Sequence, residues 1–357
     1  MLAAFNRYYR GSSIFTAVCL TIAAAVGFAA GGIGGAIQTL VIAAVLGVLE
    51  VSLSFDNAIV NATVLKDMDE VWRRRFLTWG ILIAVFGMRL VFPLIIVAVA
   101  AGIGPLSALS MALFSPDEYA AILGAKTVHA GIMGFGGAFL LMVGLKYFFD
   151  ADKEIHWIHA VESKLQRFSA IESAEIAIVL LAIGGVGVAL LERSVAEAAA
   201  FAVSGAFGLA TYVIVEGFGN YMEAKNAASG VAKAGLGAFL YLEVLDASFS
   251  FDGVIGAFAL TTNLIVIALG LGIGAIFVRS MTVMLVDSGH MSEYRYLEHG
   301  AFWAILALGG TMFAQTLAHV PEVVTGLTGA ILIGLALRSS VKANRLERDE
   351  GKTGGDA

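Results

Sequence analysis

The stretch Glu50-Val51-Ser52-Leu53-Ser54-Phe55-Asp56-Asn57 sets two carboxylates, two hydroxyls and an amide inside a run otherwise suited to lipid. The chain repeats it as Asp246-Ala247-Ser248-Phe249-Ser250-Phe251-Asp252-Gly253. Acid, spacer, Ser, apolar, Ser, Phe, Asp, then an amide or small residue: the two copies match position by position without a gap. Phe and Ser recur by chance in any two apolar helices. An ungapped match that also returns the Asp to the same place does not.

The surroundings of both copies are those of a membrane protein. Of 357 residues, 59% are hydrophobic and 14% charged, and the mean hydropathy is +0.87. A soluble domain carries roughly 25% charged residues, so this chain lacks the polar surface to cover itself in water. Its apolar runs of about 18 residues or more suffice to cross a hydrocarbon core of roughly 30 Å. Barrel strands would alternate polar and apolar residues, and these runs do not. The fold class is therefore all-α, a polytopic membrane helix bundle. Cys19 is the only cysteine, which excludes an intrachain disulfide and a thiolate metal cage. No basic, aromatic-rich patch points to nucleic acid, and no P-loop points to an ATP-driven pump.

Ten spans are predicted: Ile14 to Ala30, Ala36 to Leu65, Phe76 to Ala100, Thr127 to Phe149, Ala174 to Leu191, Ala198 to Val215, Ala234 to Leu260, Asn263 to Val286, Gly300 to Leu317 and Val323 to Leu337. The first is read as an uncleaved helix, although Phe28-Ala29-Ala30 is small enough for signal cleavage. With the N-terminus in the cytoplasm, the inside segments collect Arg7, Arg10, Arg73, Arg74, Arg75, Lys153, Lys164, Arg167, Arg338 and their neighbours. The outside segments collect only Lys126 and Arg193. That asymmetry obeys the positive-inside rule and predicts a multi-pass protein of the cell (inner) membrane with both termini cytoplasmic.

Residues 1–150 form a first transmembrane repeat and 174–342 a second. Between them, 151–173 mixes His156, Trp157, His159 and Phe168 with charges, which predicts an amphipathic helix lying on the headgroups. Ser115 to Lys126 predicts an outside surface helix, and the charged tail 343–357 predicts disorder.

Five spans per half pair the second with the seventh, which hold the two motifs. The third and eighth then share a Gly followed nine residues on by Arg: Gly80 with Arg89, and Gly270 with Arg279. In the fourth and ninth, His129 precedes Gly136-Gly137 and His299 precedes Gly309-Gly310. Because five is odd, the repeats must insert with opposite topology. Inverted repeats place a substrate site near the midplane at their interface, often on interrupted helices. Asn57 and Gly253 would tolerate such an interruption.

An ionised side chain at mid-bilayer costs about 2.5–3.5 kcal/mol on insertion scales and usually faces the bundle interior. Glu50, Asp56, Glu243, Asp246 and Asp252 stand against Arg89 and Arg279, so full ionisation would leave three net negative charges. That excess calls for a cationic substrate. At about 100° per residue, Glu50, Ser54, Asn57 and Asn61 share one stripe, while Ser52 and Asp56 share a roughly opposite face. In the second copy Asp246 and Ser250 take the first face, Ser248 and Asp252 the second. Which face meets the ion stays open, unless the helix unwinds near Asp56 and Asp252.

The candidate metal ligands are Asp56, Asn57, Asp252, Glu50, Asp246, Ser54, Ser250, Ser52, Ser248 and Glu243. Carboxylate, hydroxyl and amide oxygens suit Mn²⁺, Ca²⁺ or Mg²⁺ rather than soft metals. The alternative for the Ser and Asn residues is helix–helix hydrogen bonding. Arg89 and Arg279 either compensate charge or hold the bundle together. Lys146 should snorkel, Glu216, Asn220 and Glu223 read as a solvated helix end, and His129 and His299 as interfacial hydrogen-bonding groups.

Ser54-Phe55-Asp56-Asn57 together with Phe251-Asp252-Gly253-Val254-Ile255-Gly256-Ala257-Phe258-Ala259-Leu260-Thr261-Thr262-Asn263 resembles the TerC family of integral membrane proteins, within the LysE-type transporter superfamily. Tyr296-Leu297-Glu298-His299-Gly300 and the Gly309-Gly310 span are similar to the same family, and the likeness runs from Val41 to Leu337. It implies tellurium resistance or export of manganese, with calcium as the alternative, and a metal site centred on Asp56, Asn57 and Asp252. Asp252-Gly253 departs from the family's usual Asp-Ser. The expected function is then a secondary transporter exporting a divalent cation, Mn²⁺ first and Ca²⁺ second, by alternating access, with proton exchange through Glu50, Asp246 or Glu243. No enzymatic activity and no cofactor are expected. The expected partners are the lipid bilayer, the cation and, for a homo-oligomer, a second copy of the chain. The competing readings are a membrane accessory protein in envelope stress or tellurite resistance, an exporter of organic cations or amino acids, and an intramembrane protease using Asp56 and Asp252 as a dyad.

Overall fold

Gly31 and Gly32 turn the first apolar stretch back on itself. In the computed structural model, α1 (Leu2–Leu53) loses helical geometry at Gly31 (φ −151°, ψ 26°) and Gly32 (φ 60°, ψ −146°). The positive φ of Gly32 is accessible without a Cβ penalty only to glycine. In an unbroken helix Ala23 and Thr39 would lie about 24 Å apart, yet Thr39 Oγ1 donates to the Ala23 carbonyl at 2.7 Å. A Cβ on Gly27 would fall 2.2 Å from the Gly35 carbonyl oxygen, so the two arms of the hairpin touch through their backbones.

The structure describes residues 2–80, 83, 87, 89, 91–151, 153–228, 235–288, 294–318, 320 and 322–353. The side chains of some helical residues, Asp56, Glu223, Ser250 and Asp252 among them, lie outside the described set. Among the described residues all the regular elements are helical. After α1 come α2 (Phe55–Asp67), α3 (Glu70–Arg75), a π-helix (Phe76–Gly80), α4 (Phe92–Ala101), α5 (Pro105–Phe114), α6 (Pro116–Leu123) and α7 (Lys126–Phe148). There follow α8 (His159–Gln166), a 3₁₀ turn (Arg167–Ala170), α9 (Ala174–Leu191), α10 (Val195–Ala228), α11 (Leu236–Leu260), α12 (Leu264–Ser288), α13 (Leu297–Leu317) and α14 (Glu322–Thr353).

Local chemistry explains several boundaries. Ser54 (φ −104°, ψ 18°) separates α1 from α2, but its N–H still donates to the Glu50 carbonyl at 2.9 Å, so the motif helix bends rather than ends. Asp69 caps α3 by accepting from the Val71 and Trp72 amides. The third predicted span is not one α-helix: it opens with π geometry and resumes as α4 with Pro93 in its first turn. Proline lacks an N–H and clashes with the preceding turn, which favours a helix start there. Prolines also open α5 and α6, where the missing N–H would have no partner anyway. α6 falls within Ser115 to Lys126, where a helix opened by proline is predicted; α5 was not foreseen.

Among the described residues, six helices are long and apolar enough to cross a membrane: Arg7–Ser52, Lys126–Phe148, Ala174–Leu191, Val195–Tyr221, Leu264–Asp287 and Leu297–Leu317. The first of these contains the hairpin. α11 has the length, but Glu243, Asp246 and Asp252 set it apart from the apolar six. α7 lies at the centre and packs on α9, α10, α11 and α13. Met133, Phe139, Leu140, Phe201, Ile305 and Phe313 fill that core. Glycines let α7 and α13 approach closely: a Cβ on Gly137 would meet the Gly309 carbonyl at 3.1 Å, and one on Gly309 would meet the Gly137 carbonyl at 3.1 Å. α1 packs on α12, and α2 packs on α11, α12 and α13, which carries the first motif to the second.

Two peripheral expectations differ from the fold. The 151–173 linker is the short α8 and a 3₁₀ turn docked on the bundle, with Glu162 buried, rather than one amphipathic helix along its length. α14 continues to Thr353, into the tail whose composition predicts disorder. The Arg, Glu and Lys residues of that tail are themselves good helix formers.

Candidate polar site in the membrane bundle

Glu50 enters the bundle because two glycines make room for it. A Cβ on Gly274 of α12 would lie 2.3 Å from Glu50 Cβ, and one on Gly253 of α11 would lie 2.7 Å from Glu50 Oε2. Only 1% exposed, the Glu50 carboxylate forms an ion pair with the Arg89 guanidinium and accepts from Ser54 Oγ at 2.9 Å. Gly253 thus serves close approach; it does not interrupt its helix, since α11 runs unbroken through the second motif.

One bend of the chain away, Asp246 of α11 accepts from Asn61 Nδ2 of α2 at 2.9 Å and from Asn57. Arg89 and Glu50 both act on Asp246 electrostatically. Glu50, Ser54, Asn57 and Asn61 are all buried, so the stripe predicted from helical periodicity is the one that faces α11 and α12.

Glu243 lies one turn before Asp246, within electrostatic range of it and only 6% exposed. Neither of its carboxylate oxygens has a hydrogen-bond partner among the described residues. A Cβ on Gly80 would sit 2.6 Å from Glu243 Oε1, so the π-helix is glycine where it passes this carboxylate.

Other predicted ligands go elsewhere. Ser52 is exposed and donates to the Val48 carbonyl of its own helix at 2.8 Å, outside the cluster. Ser248 donates to the Val244 carbonyl at 3.0 Å and lines a mostly apolar cavity of about 400 Å³ with Ile95, Phe135, Ser204 and Phe207. It faces away because it lies two residues, about 200° of helix, from Asp246. Asp56, Ser250 and Asp252 lie outside the described side chains. Arg279 donates to the Leu77 carbonyl of the π-helix at 2.5 Å and pairs with no carboxylate among the described residues, so of its two expected roles the contact fits holding the bundle together. No group of three or more His, Cys, Asp or Glu among the described residues is arranged to hold a metal; the cluster's oxygens come from three helices, α1, α2 and α11, and include amides.

A second polar centre escaped the sequence. Glu162 of α8 is 1% exposed, and each of its oxygens takes one backbone and one ring N–H. Oε2 accepts from Trp157 N at 3.0 Å and His299 Nδ1 at 2.8 Å; Oε1 accepts from Ile158 N at 3.2 Å and Trp303 Nε1 at 2.9 Å. An ionised carboxylate only accepts, so His299 carries its proton on Nδ1. Burial alone would raise the Glu162 pKa, but the bonds from His299 and Trp303 and the attraction of His299 hold it down at about 2. Lys153 stands 3.8 Å from the same carboxylate and 3.7 Å from the Tyr147 ring centroid. Burial draws its ammonium down to about 8 despite the pull of Glu162, Glu298 and Asp150. The sequence signs of this centre were the mixed linker around His156 and Trp157 and the reading of His299 as a hydrogen-bonding group; nothing joined the two. Lys146, expected to snorkel, lies 3.6 Å from both Glu175 and Glu216.

A family model described as "Protein of unknown function (DUF475)" matches residues 55–347, most of the chain. The chain belongs to the DUF475 family. In this DUF475 chain the match takes in α2, Arg89, Glu162 and all of α11, and so most of both polar centres. No curated protein and no solved structure matches significantly.

Proposed function

We propose that this chain is a secondary transporter that exports a divalent cation, Mn²⁺ first and Ca²⁺ second, across the cell membrane. Two inverted repeats of five passes each would rock about the shared polar cluster, with both termini in the cytoplasm. The observation that carries the reading is the meeting of Glu50 and Asp246. They hold the same position in the two motif copies, and they lie in one buried cluster under the field of a single described guanidinium, Arg89. With Glu243 beside Asp246, the cluster holds three buried carboxylates, and the guanidinium of Arg89 pairs with Glu50, an imbalance that a divalent ion corrects. Their hard oxygens suit Mn²⁺ and Ca²⁺.

The neighbour pattern supports the inverted repeats. α2 meets α13 as α7 meets α11, and α7 meets α9 as α13 meets α14. The reciprocal approach of Gly137 and Gly309 is what a two-fold relation between the fourth and ninth passes requires. The likeness of the motifs to the TerC family points to the same class of cargo. The residues act by binding and release, with no catalytic step.

Expression in a manganese-sensitive strain lacking its own exporter tests this. The wild type should lower cellular manganese, and Asp56→Ala, Asp252→Ala and Asp246→Asn should not. An unchanged metal content with the wild type would leave an accessory role in envelope stress or tellurite resistance and refute transport.

A further inference from the structure

We infer that the cation seat lies between α2 and α11, on Glu243, Asp246 and Asn61, and not at Glu50. The inference rests on the transport reading and locates its ligand. Glu50 is already neutralised: Arg89 pairs with it, Ser54 donates to Oε1, and Oε2 abuts Gly253. A metal ion there would have to displace a guanidinium.

Glu243 is the opposite case. It is nine-tenths buried, and both of its oxygens lack a partner among the described residues. A bare buried carboxylate is held ionised only by a cation. Glu243 and Asp246 are three residues apart, hence on one face of α11.

Across from them stands Asn61. Its Nδ2 donates to Asp246, because a carboxylate offers no proton in return. Its Oδ1 is thereby left over, and that atom is buried without a partner among the described residues. Two bare oxygens on Glu243 and one on Asn61 thus accompany Asp246 among the described residues. They form a hard-donor set of the kind that takes Mn²⁺ or Ca²⁺. Gly80 completes the seat, since any side chain there would occupy the space 2.6 Å from Glu243 Oε1.

The test is Mn²⁺ binding to the purified full-length protein in detergent, read by loss of the free-ion electron paramagnetic resonance signal. Size-exclusion profiles check that each variant is folded. Glu243→Gln and Asn61→Ala should weaken binding by about tenfold or more. Gly80→Ala, which keeps every ligand but crowds Oε1, should weaken it in the same direction. Ser52→Ala, outside the cluster, should bind as the wild type does. If Glu243→Gln and Gly80→Ala bind as tightly as the wild type while Asp246→Asn does not, the seat is elsewhere, and transport survives without this inference. If the wild type binds neither Mn²⁺ nor Ca²⁺, both readings fall.

Discussion

Replacing Glu162 by glutamine tests the second polar centre quantitatively. The carboxylate takes four N–H donors on two oxygens. Gln keeps one acceptor oxygen and turns an NH₂ group toward the other two donors, so one backbone N–H and one ring N–H lose their partner. A buried donor left unsatisfied costs about 1–3 kcal/mol. The ionisation balance leads to a similar size. A carboxyl held at about 2 in the fold, against an ordinary 4.5, favours the ionised folded chain by roughly 3 kcal/mol.

The sign follows from the depression. The contribution is complete above the ordinary value of 4.5 and is lost as pH falls toward 2. Thermal unfolding of wild type and Glu162→Gln in detergent, followed by circular dichroism, should show the variant less stable by roughly 3 kcal/mol at pH 7. The gap should narrow as pH falls below about 4.5. Equal stability at neutral pH, or a gap that does not change with pH, would refute the donor geometry.

Arg89→Met should destabilise the protein by about 3–5 kcal/mol, because it leaves Glu50 buried and unpaired. Glu50→Gln combined with Arg89→Met should recover part of that loss, and thermal melts of the cycle would show no recovery if the two do not pair. Gly274→Ala places a methyl 2.3 Å from Glu50 Cβ and should cost about 1–3 kcal/mol as overpacking, again read from melting. Lys153 is held at about 8, so its folded form sheds a proton that the unfolded chain keeps. Stability should therefore rise as pH climbs from 8 toward 10.5, and Lys153→Met should flatten that rise. Gly32→Ala should disturb the hairpin, since φ 60° there excludes a side chain at no cost; a melting point unchanged from wild type would contradict the turn.

How much of this the sequence disclosed differs from residue to residue. The hairpin was legible as the gap between the first two predicted spans, Ile14 to Ala30 and Ala36 to Leu65, where four of five residues are glycine and the backbone can reverse. The buried stripe of Glu50, Ser54, Asn57 and Asn61 was legible because 3.6 residues per turn places them together without knowledge of any neighbour. Periodicity could not say which stripe turns inward, so Ser52 and Ser248 were counted as ligands, and packing sends both away. Arg279 was left between two roles for a related reason. Its partner is a backbone carbonyl of a π-helix, and nothing in the composition of Phe76–Gly80 marks that geometry. Glu162 was hidden because two of its four donors sit more than a hundred residues away on α13, and its burial exists only once the linker docks.

The central claim is that the cluster moves a divalent cation, and flux answers it. Purified protein reconstituted into liposomes should carry radiolabelled Mn²⁺ across the bilayer faster than protein-free vesicles do, and Asp246→Asn should reduce the flux to the protein-free level. Wild-type vesicles that take up no more Mn²⁺ or Ca²⁺ than empty ones, or an Asp246→Asn variant as active as the wild type, would contradict it.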